Sequence, residues 1–174
     1  MKITNAEKLI ISMLADLHEK LGIDPENAKF INSVIHADQA WAIPWKFNGL
    51  FGDQAERAPD EVYEVLNFLD MWAILEEGVA ALSPEAKASL TSTWKGSTTF
   101  TGFDGNNEPK EMSIAYCFVH KLNSFSRFAD RDLNSHMPRL EKYRAMYKVF
   151  EPLRVNVGPG RPLGKEELLK VFSA

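Results

Sequence analysis

The chain has 174 residues and a net charge of −4, with 45% hydrophobic and 25% charged residues. That length and composition fit one globular domain with a core of its own and exclude general disorder. The single cysteine, Cys117, excludes an internal disulfide, and no apolar run approaches the roughly 20 residues that span a bilayer. The start "MKITNAEKLI" lacks the pattern of a signal peptide, so a cytoplasmic protein without a membrane partner is expected.

Charge is unevenly distributed. Residues 1–119 hold 9 Lys and Arg against 18 Asp and Glu (−9), whereas residues 120–174 hold 11 against 6 (+5). Either an anionic partner meets the C-terminal part, or the two parts neutralise each other across packed helices. The basic residues do not form a block, which favours neutralisation.

Thr4 followed by Glu7 has the spacing of a capping box. Leu9, Ile10, Met13, Leu14, Leu17 and Leu21 then recur at helical spacing until Gly22. Five prolines mark further helix starts, in "IDPENA", "RAPDEV", "LSPEAK", "NNEPKEM" and "HMPRLEK", because a first helical turn tolerates the missing N–H. Acidic neighbours of Pro25, Pro59, Pro84 and Pro109 suit the positive end of a helix dipole. The helix from Pro25 is expected to bury Phe30, Ile31, Val34 and Ile35. In "WAIPWKFNGLFG", Pro44 should break or kink any helix among Trp41, Trp45, Phe47 and Phe51, and the corner is either a satellite core or an aromatic ligand cleft.

The longest helix is predicted over 59–82 and is apolar on most sides, as a central helix would be; a short one follows Ser83. After Pro109, Ala115, Phe118, Leu122, Phe125 and Ala129 form another stripe, and Leu140, Tyr143, Tyr147 and Phe150 form the last long one. The expectation is an all-α, bundle-like single domain of about six to seven helices around the 59–82 helix. Residues 1–157 would form the helical domain. Residues 158–174 would add an extended Gly/Pro arm and a short terminal helix.

The stretch "FTGFDGNNE", residues 100–108, carries the most chemistry for its length. As a calcium loop it fails: with Asp104 in fifth place, Gly105 and Glu111 fall at positions six and twelve, but positions one and three are Phe100 and Gly102. Helix-entry chemistry fits better, with Asp104, Asn106 and Asn107 accepting from free N–H groups and Gly102 and Gly105 permitting a tight turn. The competing reading is a binding site of Phe103, Asp104, Asn107 and Glu108 together with Trp45. "GPGRPLGKE" resembles a P-loop, but Pro159 stands where the first glycine belongs and Glu166 where Ser or Thr should follow Lys165. Cys117 and His120 could share a helix face, yet no third group completes a catalytic or metal-binding set. His18, His36 and His136 lack metal-ligand spacing. Neither a metal site nor a cofactor is expected.

Arg127, Arg139, Arg144 and Lys148, with aromatics between them, suggest single-strand nucleic-acid binding, although Asp130, Asp132 and Glu141 interrupt the patch and the pI is about 5.6. In the terminal segment, Leu168, Leu169 and Phe172 must be buried against something for so short a helix to be ordered. An extended linker favours exchange between protomers, so a homodimer with this helix at its interface is expected.

"TNAEKLIIS", "FTGFD" and "EKYRAMY", in this order over residues 3 to about 153, together resemble the YfbU family of small bacterial proteins. The resemblance implies a helical fold, a bacterial origin and a cytoplasmic location, and it brings no activity, cofactor or catalytic residue with it. Relatives that append a small DNA-binding module imply a regulatory or partner-binding role; no room for such a module is expected before Thr4. The Gly/Pro arm after Arg154 departs from the family pattern. Two functions of different class follow. One is a non-enzymatic interaction or regulatory domain; the other is a small-molecule binder or enzyme using the 100–108 loop and the Trp41/Trp45 corner.

Overall fold

The computed structural model describes residues 3–52, 56–158 and 161–174. Its helices are α1 (Asn5–Leu21), α2 (Pro25–His36), α3 (Ala42–Lys46), α4 (Asn48–Phe51), α5 (Asp60–Ala81), α6 (Pro84–Thr93), α7 (Pro109–Tyr116), α8 (Leu140–Arg154) and α9 (Lys165–Phe172). Among the described residues there is no strand, only isolated bridges between Phe103 and Asn134 and between Gly158 and Arg161. The fold is all-α. The helices beyond the expected six or seven are short ones: α3 and α4 divide the tryptophan corner, and Pro44 sits in the first turn of α3, where its missing N–H breaks no bond.

Capping follows the sequence closely. Thr4 caps α1 through a full capping box with Glu7, and Gly22 ends the helix in the left-handed conformation. Pro25, Pro84 and Pro109 occupy first-turn positions, and Pro59 is the N-cap of α5.

Helix α5 buries Val62, Val65, Phe68, Leu69, Met71, Trp72, Leu75 and Gly78, and it packs against α7, α8 and α9. Tyr143 of α8 stands at the centre of an aromatic cluster with Phe68, Trp72, Phe100 and Phe103, at ring distances of 5.5–5.9 Å. Its hydroxyl donates to the Gly102 carbonyl at 3.0 Å, and burial pushes its pKa up to about 12. Gly102 is obligatory: at φ +82° its backbone lies so close to Leu133 that a Cβ would sit 1.9 Å from the Leu133 carbonyl oxygen.

The stripe expected to run to Ala129 stops early. After Tyr116 the chain makes a π-helical turn over Cys117–Lys121, and Asn123 and Phe125 then adopt left-handed backbone. The break lets Phe128 turn inward against Phe100, 5.1 Å away. A straight helix would carry it past that contact.

The charge asymmetry resolves inside the fold. Helix α5 is acidic, and its Glu64, Asp70 and Glu76 pair with Arg144, Arg154 and Arg131 at 2.6–2.8 Å. Pro159 and Gly160 of the arm lie outside the described residues. Beyond them, Leu163 packs against Gly78, and α9 docks on α5, α6 and α8.

Candidate functional site

The polar groups of the 100–108 stretch are engaged within the fold. Glu108 is buried, and its carboxylate accepts from the backbone N–H groups of Arg139 (2.7 Å), Leu140 (2.6 Å) and Asp104 (3.0 Å). It therefore caps the N-terminus of α8 from 31 residues away and closes its own loop. Asp104 accepts from the Asn107 side chain at 2.5 Å and from the Asn106 N–H at 3.0 Å, and these bonds hold its carboxyl below the usual carboxylate range. Phe103 is in the core. Trp45 stands apart from them, half-buried against Trp41 (5.8 Å) and Phe118 (5.3 Å). Five surface cavities of about 300–530 Å³ are formed by the described residues, and none of these five is lined by Asp104, Asn107 or Trp45.

The basic candidates are dispersed. Arg144 forms a two-toothed pair with Glu64 (2.7 and 3.0 Å) and a further bond to Glu141 at 2.6 Å. Arg127 donates to the Ala73 carbonyl, Arg139 is half-buried beside the loop, and Lys148 is exposed. Cys117 is fully buried, and burial pushes its thiol up to about 11, so it stays protonated near neutral pH. His120 packs against Tyr116 with the rings tilted and 4.4 Å apart. Leu168 and Phe172 of α9 are sealed in the chain's own core, while Leu169 is half-buried.

The opposite arrangement occurs at the N-terminal helix. On α1, Leu9, Ile10, Met13, Leu14, Leu17 and Leu21 are between 54% and 69% exposed, and Ala15 alone is buried. The cause is local. Ala15 meets α2 near Ala28, two small residues that permit close approach. Around it, the polar side of α1 faces α2: Ser12 donates to Asn32 (2.6 Å), Asn32 donates to Asp16 (2.8 Å), and Lys8 pairs with Asp38 at 2.6 Å. The turn fixes that rotation. Gly22 and Asp24 both adopt left-handed backbone, and the Asp24 carboxylate caps α2 through Asn27.

The amphipathic helix thus binds its own chain with its polar side and turns its apolar side to solvent. Six large side chains, each with roughly 1–2 kcal/mol of burial still to gain, carry a stabilisation comparable to that of a whole domain. Beside this ridge lies a groove of about 400 Å³ lined mainly by Ile11, Leu14, Ala15, Ile23, Ile31 and Phe47. Ridge and groove lie side by side and share Leu14. The stripe was visible in the sequence; its outward direction was not. No sequence signal gives that direction, because Lys8, Ser12 and Glu19 on the opposite side would face solvent by default.

The fold and this face define a small all-α domain whose N-terminal helix turns its apolar side outward. The model of the YfbU domain matches residues 1–174, and the chain belongs to that family. Among curated proteins, the UPF0304 protein MJECS11 of Methanocaldococcus jannaschii is similar, with 28% identity over 130 residues, 72% of this chain and 72% of its own.

Proposed function

We propose that this chain is a non-enzymatic interaction domain whose working surface is the outward face of α1 and the groove beside it. The observation that carries the reading is the inverted docking of α1, with polar residues against α2 and six large apolar residues in solvent. Monomeric proteins rarely keep contiguous apolar patches beyond a few hundred Å², and larger ones mark association sites. The groups of the competing ligand-site reading support this one from the other side. Asp104 and Glu108 are bonded to the backbone of their own chain, which leaves little of the 100–108 loop to meet a substrate. A cytoplasmic location suits a protein whose one thiol is buried and unpaired. No helix among the described residues is long and apolar enough to cross a membrane.

The test is photo-crosslinking in cells. A photoreactive amino acid replacing Leu17 should give one discrete, reproducible protein adduct, and the same residue at exposed Lys148 should not. No discrete adduct at position 17, or identical adducts at both positions, sinks the proposal.

A further inference from the structure

We infer that the occupant of this face is a second copy of the same chain, seated so that two α1–α2 hairpins form a four-helix bundle about a two-fold axis. The inference rests on the interaction-domain reading and adds the identity of the partner.

The first argument is spacing. Ile10, Leu14, Leu17 and Leu21 follow one another at intervals of four, three and four residues, and all four are more than half exposed. That alternation is the seam of a helix pair, in which each apolar knob enters a hole on the facing helix. A seam of this kind specifies another helix as its partner. Helix α1 is itself such a helix.

The second argument is shape. The ridge Ile10, Leu14, Leu17 and Leu21 runs beside the groove lined by Ile11, Ala15, Ile31 and Phe47, and Leu14 belongs to both. A surface carrying a ridge and a matching groove side by side is self-complementary. A two-fold axis near Leu14 and Leu17 lays the ridge of each copy in the groove of the other, which makes a closed, isologous contact. The facing α1 helices then run antiparallel, which sets their dipoles in opposition, as in up-down bundles.

The third argument is area and charge. Each copy offers apolar surface on the order of 700 Å², and two such faces reach the ~1,200–2,000 Å² that stable interfaces bury. The seam holds no formal charge. Its margins carry Glu7 and Lys20, while Asp16, Glu19 and Lys8 lie on the other side of α1, where Asp16 accepts from Asn32, Glu19 pairs with Lys29 at 3.7 Å and Lys8 pairs with Asp38. A lipid surface would favour several Lys and Arg on the margins of such a helix, and one Lys balanced by one Glu does not supply them.

The experiment is sedimentation equilibrium on the full chain at micromolar concentration, compared with Leu17→Asp at the centre of the seam. The wild-type chain should have twice the single-chain mass. Leu17→Asp should raise the dimer dissociation constant by roughly 100-fold or more, the range of a central anchor, with an unchanged far-UV spectrum. Should Leu17→Asp lose its helical spectrum, Leu21→Asp in the last turn gives the same readout with less demand on folding. A wild-type chain of single mass overturns the inference, as does a dimer that persists unchanged in both variants. Those outcomes are distinct from failure of the wider reading: a single-mass chain that still gives a discrete adduct to a different protein from position 17 keeps the interaction domain and removes only the second copy. A chain that floats with vesicles of anionic phospholipid, and is released by Leu17→Asp, overturns it in favour of a membrane surface.

Discussion

Helices α1 and α9 are both amphipathic and flank the same core, yet they use their apolar sides in opposite ways. The eight residues of α9 bury Leu168, Val171 and Phe172 completely. Phe172 stacks on Trp94 at 5.9 Å, and Lys142 holds the end of the helix by donating to the Phe172 and Ala174 carbonyls at 2.7 and 2.9 Å. The seventeen residues of α1 bury one alanine. Hydrophobic periodicity alone ranks α1 as the better core helix, because its stripe is longer. The difference lies in the polar sides. Those of α1 find specific partners on α2, whereas Glu166 on the polar side of α9 faces water. An apolar stripe says that something will cover it; the partners of the opposite side decide whether that something is the same chain.

The largest expected effect tests the inward half of this comparison. Phe172→Ala removes a fully buried ring from contact with Trp72 and Trp94 and should cost about 3–5 kcal/mol in urea unfolding. A cost below about 1 kcal/mol would mean that α9 is loosely attached and available for exchange, and the contrast with α1 would vanish.

The second effect asks whether polar groups are committed inward at the 100–108 loop as firmly as apolar ones are at α9. Glu108→Ala leaves three backbone N–H groups without their acceptor and should cost about 2–4 kcal/mol. Glu108→Gln keeps a carbonyl oxygen for Arg139 and Leu140 and should recover about half of that loss. Equal stability of all three proteins, measured by thermal unfolding, would show that the carboxylate is free for another purpose.

Acid tests the same loop by sign. Asn107 first, then Asn106, hold the Asp104 carboxyl below its ordinary value, so the ionised form is favoured in the folded chain. Its contribution is complete above the unfolded carboxylate pKa of about 3.9 and fades as pH falls through the lower folded value. The stability difference between wild type and Asp104→Asn should therefore be constant near neutrality and shrink below about pH 4. A difference that grows with acid would reverse the assignment.

Helix boundaries were largely legible, since caps and prolines act locally. The Thr4–Glu7 box, Gly22, the first-turn prolines and Pro59 at the N-cap of α5 locate α1, α2, α5, α6 and α7 from neighbouring residues alone, and the expected 59–82 helix differs from Asp60–Ala81 by one residue at each end. Features that depend on distant partners were not legible. Asn123, Ser124 and Ser126 weaken the helix there, but the course of the chain beyond depends on Phe100, far away in the sequence, which packs against Phe128. Glu108 reads as part of a loop, and its task is to cap a helix that begins more than thirty residues later. For the candidate site the residues of the stripe were visible, while its direction depends on Asn32 and Asp38 accepting the polar side of α1.

The smallest expected effect is the most exacting for the outward half. Leu9→Gln and Met13→Gln replace flanking residues of the ridge that are 62% and 60% exposed. Glutamine has nearly the helix propensity of leucine and methionine, so the substitutions leave the helix itself undisturbed. If the face is outward in the single chain, each variant should change stability by no more than about 0.5 kcal/mol at dilutions where the protein is unassociated. At higher concentration the wild type should gain melting temperature as association covers the face, and the variants should gain less. A loss above about 1.5 kcal/mol in the dilute chain would mean that Leu9 and Met13 pack on their own molecule. In that case α1 would be a core helix like α9, and the surface proposed for association would not exist.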